Sequence, residues 1–181
     1  MKRTLALALL CALALSLPGC GQAAAQVNEL TAQPIPLSDT QMTEQGAAVP
    51  NVYAALSQFG VDMLLGAREE VGEPALVSPL SVALALSMAA NGAEGDTLAQ
   101  FEAVLSGGAE LETLNAACQA LTRLYENLGG STECSIANSL WVDPEGQIKE
   151  DFIGKCMGIF DAQVLQAQLS DPGIVPALNG W

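Results

Sequence analysis

Residues 80–90 contain almost only apolar and small side chains, in a chain of 181 residues. The run follows Ser78-Pro79, and proline at the first position after a serine cap is a typical helix start. Asn91-Gly92 is expected to end the helix. Because a helix that is apolar on all sides has no face suited to water, this pattern predicts a buried helix with other elements packed around it.

Amphipathic patterns on both sides of this run predict three more helices. The first begins at Asn51, and Gly66 and then Gly72-Glu73-Pro74 are expected to end it. The second should be capped by Asp96 or Thr97. The third, over 111–128, carries apolar residues at alternating spacings of three and four, which is typical of a single helix lying on a domain.

Strand-like alternation begins after these helices, over 135–142. A turn at 143–146, a helix over 148–160 and a second strand over 163–169 should follow, with a last, incomplete helix beginning at Asp171-Pro172. The chain is therefore expected to have an α+β fold. Neither strand has an obvious hairpin partner, and a two-stranded sheet with open edges is marginal. Residues 51–181 expressed alone are therefore expected to aggregate.

The charge of the chain excludes several classes of function. It has 20 acidic and 6 basic residues and no histidine. Without the leader that carries Lys2 and Arg3, 4 basic and 20 acidic residues remain, a net charge of −16. Such a surface repels phosphate, so nucleic-acid binding is not expected. The chain alone cannot form a catalytic site that needs histidine, and we expect no metal and no cofactor.

The N-terminus has the features of an export signal. A positive start precedes an apolar run over 5–17, too short to span a bilayer permanently but suited to a signal peptide. Pro18-Gly19-Cys20 then resembles the lipobox of bacterial lipoproteins, except for the proline. We expect residues 1–20 to be a lipoprotein signal peptide and Cys20 to carry lipid. The alternative is a soluble, secreted protein cut after Ala23 or Ala25.

Residues 21–49 have little large apolar content and no helical or strand spacing. They are expected to form a flexible tether between the lipid and a folded domain at 50–181.

Four segments of that domain resemble the serpin family in sequence and in order: Ala75 to Ala93, Glu94 to Gln100, Ile136 to Val142 and Leu178 to Trp181. The resemblance implies the helical N-terminal half of a serpin with an incomplete large β-sheet. It also assigns Asn138, Trp141, Asn179 and Trp181 to family motifs.

The resemblance implies inhibition of a serine or cysteine protease as a suicide substrate, by insertion of a cut reactive loop into the large sheet. Ser78 and Ser81 match the shutter positions under that sheet. Two plainer interpretations stay open: Ser78 as a helix cap, and Ser81 as a buried residue bonded to a carbonyl one turn back. The reactive loop lies outside the resembling segments, so these residues alone are expected not to inhibit.

Several alternatives remain. A non-inhibitory, lipid-anchored scaffold or binding lipoprotein would also use such a chain, whereas a hydrolase is disfavoured by the missing histidine. The expected partners are a target protease for the full-length protein and the membrane at the cell surface, through Cys20. Cys118, Cys134 and Cys156 are an odd number, so at least one is a free thiol or bonds to another chain. Cys118 lies on the apolar seam and is expected to be a buried small hydrophobe.

Overall fold

A computed structural model describes residues 25–71, 76–129, 131 and 133–181. The signal peptide at 1–20 lies outside these residues. The chain divides into two compact units, one formed by 27–167 and the other containing 168–181. In chain order, the elements are β1 (Asn28–Leu30), α1 (Asp39–Gln45), α2 (Val49–Val71), α3 (Pro79–Ala90), α4 (Gly95–Leu105), α5 (Leu111–Glu126), β2 (Asn138–Val142), α6 (Glu150–Phe160), β3 (Ala162–Gln166) and α7 (Ile174–Gly180).

The sheet of the larger unit has three strands in the order β1-β3-β2. β2 and β3 run parallel, joined by α6, because parallel neighbours need a crossover connection. β1 pairs with the other edge of β3 in the antiparallel sense. Val164 is the register partner of both Leu30 and Leu140. The two predicted strands are confirmed, and β3 gains a second neighbour that the sequence did not predict.

The helices enclose a core whose largest fully buried side chains include Val52, Leu84, Leu105, Leu114 and Phe160. These five come from α2, α3, α4, α5 and α6, so each of these helices contributes one face. The predicted helical periodicity is therefore confirmed as the origin of the core. α2 continues through Gly66, because a single glycine in a helix costs only about 1 kcal/mol. It ends at Val71, directly before the second predicted stop signal at Gly72.

The apolar helix α3 is not buried on every side. Ala83, Leu84 and Met88 face the core, whereas Val82 is 38% exposed. The expectation that α3 is buried on all sides is therefore wrong among the described residues. α3 contacts α2, α4, α5 and α6, and its buried residues lie on the side of these helices.

Residues 28–49 are not the structureless tether that the sequence predicted. β1, α1 and the start of α2 lie there, and Leu30 and Leu37 pack against the core. Ser38 begins α1 with a capping box in which its side chain and that of Gln41 bond reciprocally to the backbone. The segment also forms backbone hydrogen bonds with β3, Gly154 and Gln119, which hydrophobic spacing does not reveal.

The smaller unit is described over 168–181 and contains α7. The Asp171 carboxylate accepts a hydrogen bond from the Gly173 N–H at 2.8 Å, and the Asp171 carbonyl accepts one from Ile174 at 3.0 Å. The helix starts three residues after Asp171, slightly later than predicted. Among the described residues of both units, no helix is long and apolar enough to cross a membrane.

Candidate functional site

Ser78 and Ser81 meet at the start of α3. Their hydroxyl oxygens lie 2.8 Å apart and form a hydrogen bond, and both residues are exposed. Residues three apart on a helix share a face, which explains the contact. Ser78 precedes the helix but its side chain caps no backbone N–H, and Ser81 is not buried. Ser78 thus occupies the predicted N-cap position and its carbonyl accepts the Val82 N–H at 3.3 Å, although its side chain bonds to Ser81. The interpretation of Ser81 as a buried serine bonded to a carbonyl is wrong in this structure. The shutter role stays a prediction.

Asn138, at the start of β2, contacts the end of α6 and lies beside the start of β3. Its side-chain N–H donates to the Phe160 carbonyl at 2.8 Å, and Phe160 is the last residue of α6. Asp161 follows with a φ of 50°, and β3 begins at Ala162, the register partner of Asn138. The last carbonyls of a helix have no partner within it, so an amide donor here satisfies one of them. Asn138 thus fixes the turn from α6 into β3.

Trp141 lies three residues further along β2 and therefore on the opposite face of the strand from Asn138. Its indole N–H donates to the Ser139 hydroxyl at 3.1 Å, and the residue is half-buried. The contact fixes the ring against its own strand. Nothing in these contacts requires a ligand.

Asn179 and Trp181 belong to the smaller unit. Asn179 is an exposed residue of α7, and Trp181 is 49% exposed at the end of that helix. The structure brings Ser78 and Ser81 together and places Asn138 and Trp141 on one strand. It describes the last pair in a separate unit.

Two thiols of the larger unit, those of Cys118 and Cys156, are unsuited to nucleophilic chemistry. Burial raises the pKa of the Cys118 thiol to about 11, and a hydrogen bond to the Ser87 hydroxyl at 3.5 Å opposes this slightly. Burial also raises the pKa of Cys156 to about 11. Both stay protonated at neutral pH, whereas the thiolate is the reactive form. Cys118, Cys134 and Cys156 are free thiols, and the expectation of a buried Cys118 is confirmed.

No metal-binding arrangement of cysteine and carboxylate side chains occurs among the described residues. The two ion pairs found there lie at the surface. Lys155 pairs with Asp151 at 2.9 Å, and Lys149 lies 3.9 Å from Glu94. Exposed pairs of this kind contribute little to stability.

Two glycines of α6 have a role that the sequence prediction missed. Residues 33–36 cross directly over Gly154 and Gly158. A Cβ on Gly154 would lie 2.7 Å from the Gln33 carbonyl oxygen, and one on Gly158 would overlap the backbone of Ile35. Their spacing of four residues, which places both on one helix face, was the available signal.

The chain was compared with known protein families. The family model described as "Serpin (serine protease inhibitor)" matches residues 54–181. A serpin-like protein of Methanosarcina mazei is 25% identical over 167 residues, which cover 91% of this chain and 38% of that protein. Alpha-2-antiplasmin of Mus musculus is 30% identical over 128 residues, covering 70% of this chain and 25% of that protein.

A solved structure described as a loop C-sheet serpin polymer has the same fold, with a TM-score of 0.57 and 23% identity. It aligns with 86% of this chain and 38% of that chain, so the chain spans well under half the length of the serpins that it matches. The helix-rich architecture with a small partial sheet is thus part of a serpin fold. The family model alone covers more than half of the chain, and the chain belongs to the serpin family.

Proposed function

We propose that the whole protein is a serpin-type inhibitor of a serine or cysteine protease, and that this chain supplies its helical base and the first strands of its large sheet. The observation that carries the proposal is the family match over 54–181. The parallel pair of β2 and β3 around α6 supports it, because the sheet that must accept a cut loop begins with such strands.

Within this mechanism, the Ser78–Ser81 pair is proposed to act as part of the shutter. Its hydroxyls lie 2.8 Å apart at the N-terminus of α3. Two hydroxyls can exchange donor and acceptor roles, so they can release each other and bond to a passing backbone. Such a pair suits a position beneath a sheet that opens.

The 181 residues are proposed not to inhibit by themselves. They correspond to 38% of the length of the Methanosarcina relative, and the reactive loop of the family lies beyond the segments that match. Without that loop, no acyl-enzyme can form and be trapped.

The test reads the gene past codon 181 and compares this chain with any longer reading frame found there. Each is incubated with trypsin-, subtilisin- and papain-like proteases and run on a denaturing gel. The 181-residue chain should leave protease activity unchanged, and the longer frame should form a complex of the summed mass. A longer frame that is cleaved without forming a complex would overturn the proposal. A stop codon directly after Trp181 would favour the scaffold lipoprotein instead.

The shutter proposal has its own readout in the longer frame. Loop insertion, which traps the protease, competes with release of the cut inhibitor. If the serine pair assists insertion, Ser78→Ala/Ser81→Ala should slow it and increase the number of inhibitor molecules consumed per protease inactivated. Ser57→Ala is the matched control, since its hydroxyl bonds only to the Tyr53 carbonyl on an exposed helix face. An equal ratio in wild type, the double variant and Ser57→Ala would show that Ser78 and Ser81 do not act in loop insertion.

We further propose export and a lipid anchor on Cys20. The apolar leader followed directly by a cysteine supports this, and two or more acyl chains give stable attachment. The expressed chain should partition into the detergent phase of Triton X-114, and Cys20→Ser should move it to the aqueous phase. Cys11→Ser is the matched control. A wild-type N-terminus at residue 24 or 26 in mass spectrometry would instead establish a soluble, secreted protein.

A further inference from the structure

Residues 28–37, here called the strap, lie extended along a groove of the larger unit. Three features of the larger unit form the groove: the outer edge of β3, the face of α6 that carries Gly154 and Gly158, and the side chain of Gln119 on α5. Each of the three contacts the strap mainly through the strap's backbone.

The first contact is the β1–β3 ladder, with Asn28 opposite Gln166 and Leu30 opposite Val164. Pairing of this kind adds a strand to a sheet edge and uses main-chain groups, so it would accept any suitable extended segment. It fixes direction and register.

The second contact is the crossing over α6. The Ile35 N–H donates to the Gly154 carbonyl at 2.8 Å. A Cβ at Gly158 would overlap the backbone of Ile35 and Pro36. Glycine is therefore required at 158 for the strap to be seated, while Ile35 itself stays 40% exposed.

The third contact is made by the Gln119 amide, which is 3% exposed. Its oxygen accepts from the Leu37 N–H at 3.0 Å, and its nitrogen donates to the Leu37 carbonyl at 3.4 Å. One buried side chain thus satisfies both backbone groups of one strap residue, as a neighbouring strand would. A buried amide placed in this way is suited to recognise extended peptide.

We propose that this groove is a peptide-binding site for the strap sequence. The chain's own strap occupies it in cis, and a separate peptide of the same sequence can bind to it in trans. The ligand is an extended peptide with a free N–H at the position of Ile35 and an apolar side chain at that of Leu37. The covalent link keeps the cis strap at high effective concentration, so a trans peptide binds only when the cis strap is displaced. This site does not depend on protease inhibition.

The test uses the full chain with Leu30→Asp/Leu37→Asp, which places carboxylates where the strap packs against the core and leaves the groove unchanged. The probe is a fluorescent synthetic peptide of residues 27–38, measured by anisotropy. Wild type should not bind it, because its groove is occupied, and the displaced variant should bind it saturably. A peptide with N-methyl Ile35 should bind at least tenfold more weakly.

Adding Gly158→Ala to the displaced variant should weaken peptide binding at least tenfold. The matched control is Gly66→Ala, another glycine in a helix, which has open space around it and should change binding less than twofold. A folded displaced variant that does not take up the peptide would overturn the proposal. Equal binding with and without Gly158→Ala would do the same.

A second measurement covers the case in which the displaced variant does not fold. Hydrogen exchange of the Ile35 amide is compared in wild type, Gly66→Ala and Gly158→Ala, each in the full chain. The amide should be protected in the first two and exchange at least tenfold faster in the third. Equal protection in all three would contradict the seating of the strap over Gly158.

Discussion

At the scale of single residues, Asn138 has the clearest structural role. Its amide bonds to the last carbonyl of α6 and holds the start of β2 beside the start of β3. Asn127 makes the same kind of bond at the end of α5, to the Arg123 carbonyl at 2.7 Å, but it is exposed to solvent. The two residues form a natural pair for comparison.

Asn138→Asp is expected to lower the free energy of unfolding by about 1–3 kcal/mol, because it removes a donor and places a carboxylate at the negative end of a helix. Asn127→Asp should cost less than about 0.5 kcal/mol, since water replaces the lost bond. Urea unfolding measures both losses from the shifts in midpoint, provided that the dependence of the unfolding free energy on urea concentration is unchanged. Equal losses in the two variants would show that the Asn138 bond does not depend on its half-buried setting.

The two buried thiols predict a loss of stability at alkaline pH. Cys118 and Cys156 have folded-state pKa values of about 11 against an ordinary value of 9.0. Between about pH 9 and 11, the unfolded chain therefore binds fewer protons than the folded one, and stability falls as pH rises. Each thiol adds up to about 1.4 kcal/mol of loss per pH unit in this window.

Urea midpoints measured from pH 8 to 11 should fall more steeply in wild type than in Cys118→Ala/Cys156→Ala. Only the fall of the midpoint with pH is compared, because the cavities left by the substitutions lower stability at every pH. Identical slopes in wild type and the double variant would contradict the prediction.

At the scale of elements, α3 and α5 are joined by two facing amides. Asn91 and Asn115 donate to each other's side-chain oxygen, both at 2.9 Å, and Asn115 is 5% exposed. Asn91 also donates to the Ser87 carbonyl in the last turn of α3. One side chain thus ends a helix and holds it against its neighbour.

Asn91→Ala and Asn115→Ala should each cost about 1–3 kcal/mol. The first leaves the Asn115 amide without its partner, and the second removes the donor to the Asn91 oxygen. The double variant should cost less than the two single costs together, with a coupling energy of about 1 kcal/mol. Denaturant unfolding of the four proteins completes the cycle. Additive costs within about 0.3 kcal/mol would mean that the amides act independently.

The elements also differ in how far the sequence predicted them. α3, α5, β2 and β3 have long or alternating apolar patterns, and each was predicted close to its observed place. β1 has only three residues, too few to display a period, and its partner lies far along the chain. Its position is set by backbone pairing, which residue types scarcely encode.

For the candidate site, the sequence predicted which residues matter but not the hydrogen bonds that they form. The spacing of Ser78 and Ser81 predicts that they share a face, but not that the two hydroxyls bond to each other instead of the backbone. Asn138 was found through the family motif, and its bond to Phe160 depends on the tertiary path of α6. The role of Gly158 was not predicted, because a glycine in a helix does not show which segment packs against it.

At the scale of the whole molecule, the strap changes the expectation of aggregation. Within the described residues, β3 has a neighbour on both sides, whereas β1 and β2 each have one. Removing the strap would leave the outer edge of β3 open, and open edges pair with other chains.

A chain that begins at residue 38 should therefore associate more strongly than one that begins at residue 25. Both keep α1 and all later elements, so they differ only in the strap and the residues adjoining it. Size-exclusion chromatography with light scattering, over a range of protein concentrations, measures the difference. Equal monomer fractions in the two proteins would show that β1 does not protect the edge.

The strap also determines how far from a membrane the molecule could work. A tether over 21–49 would allow a fully extended reach of about 100 Å, but Asn28 is fixed in the sheet, only eight residues after Cys20. Extended chain of that length spans at most about 28 Å. With the proposed lipid on Cys20, the sheet edge would stay within one domain diameter of the bilayer, while the net charge of −16 repels anionic headgroups. A lipid on Cys20 would then hold the folded unit at the membrane surface, not at the end of a long tether.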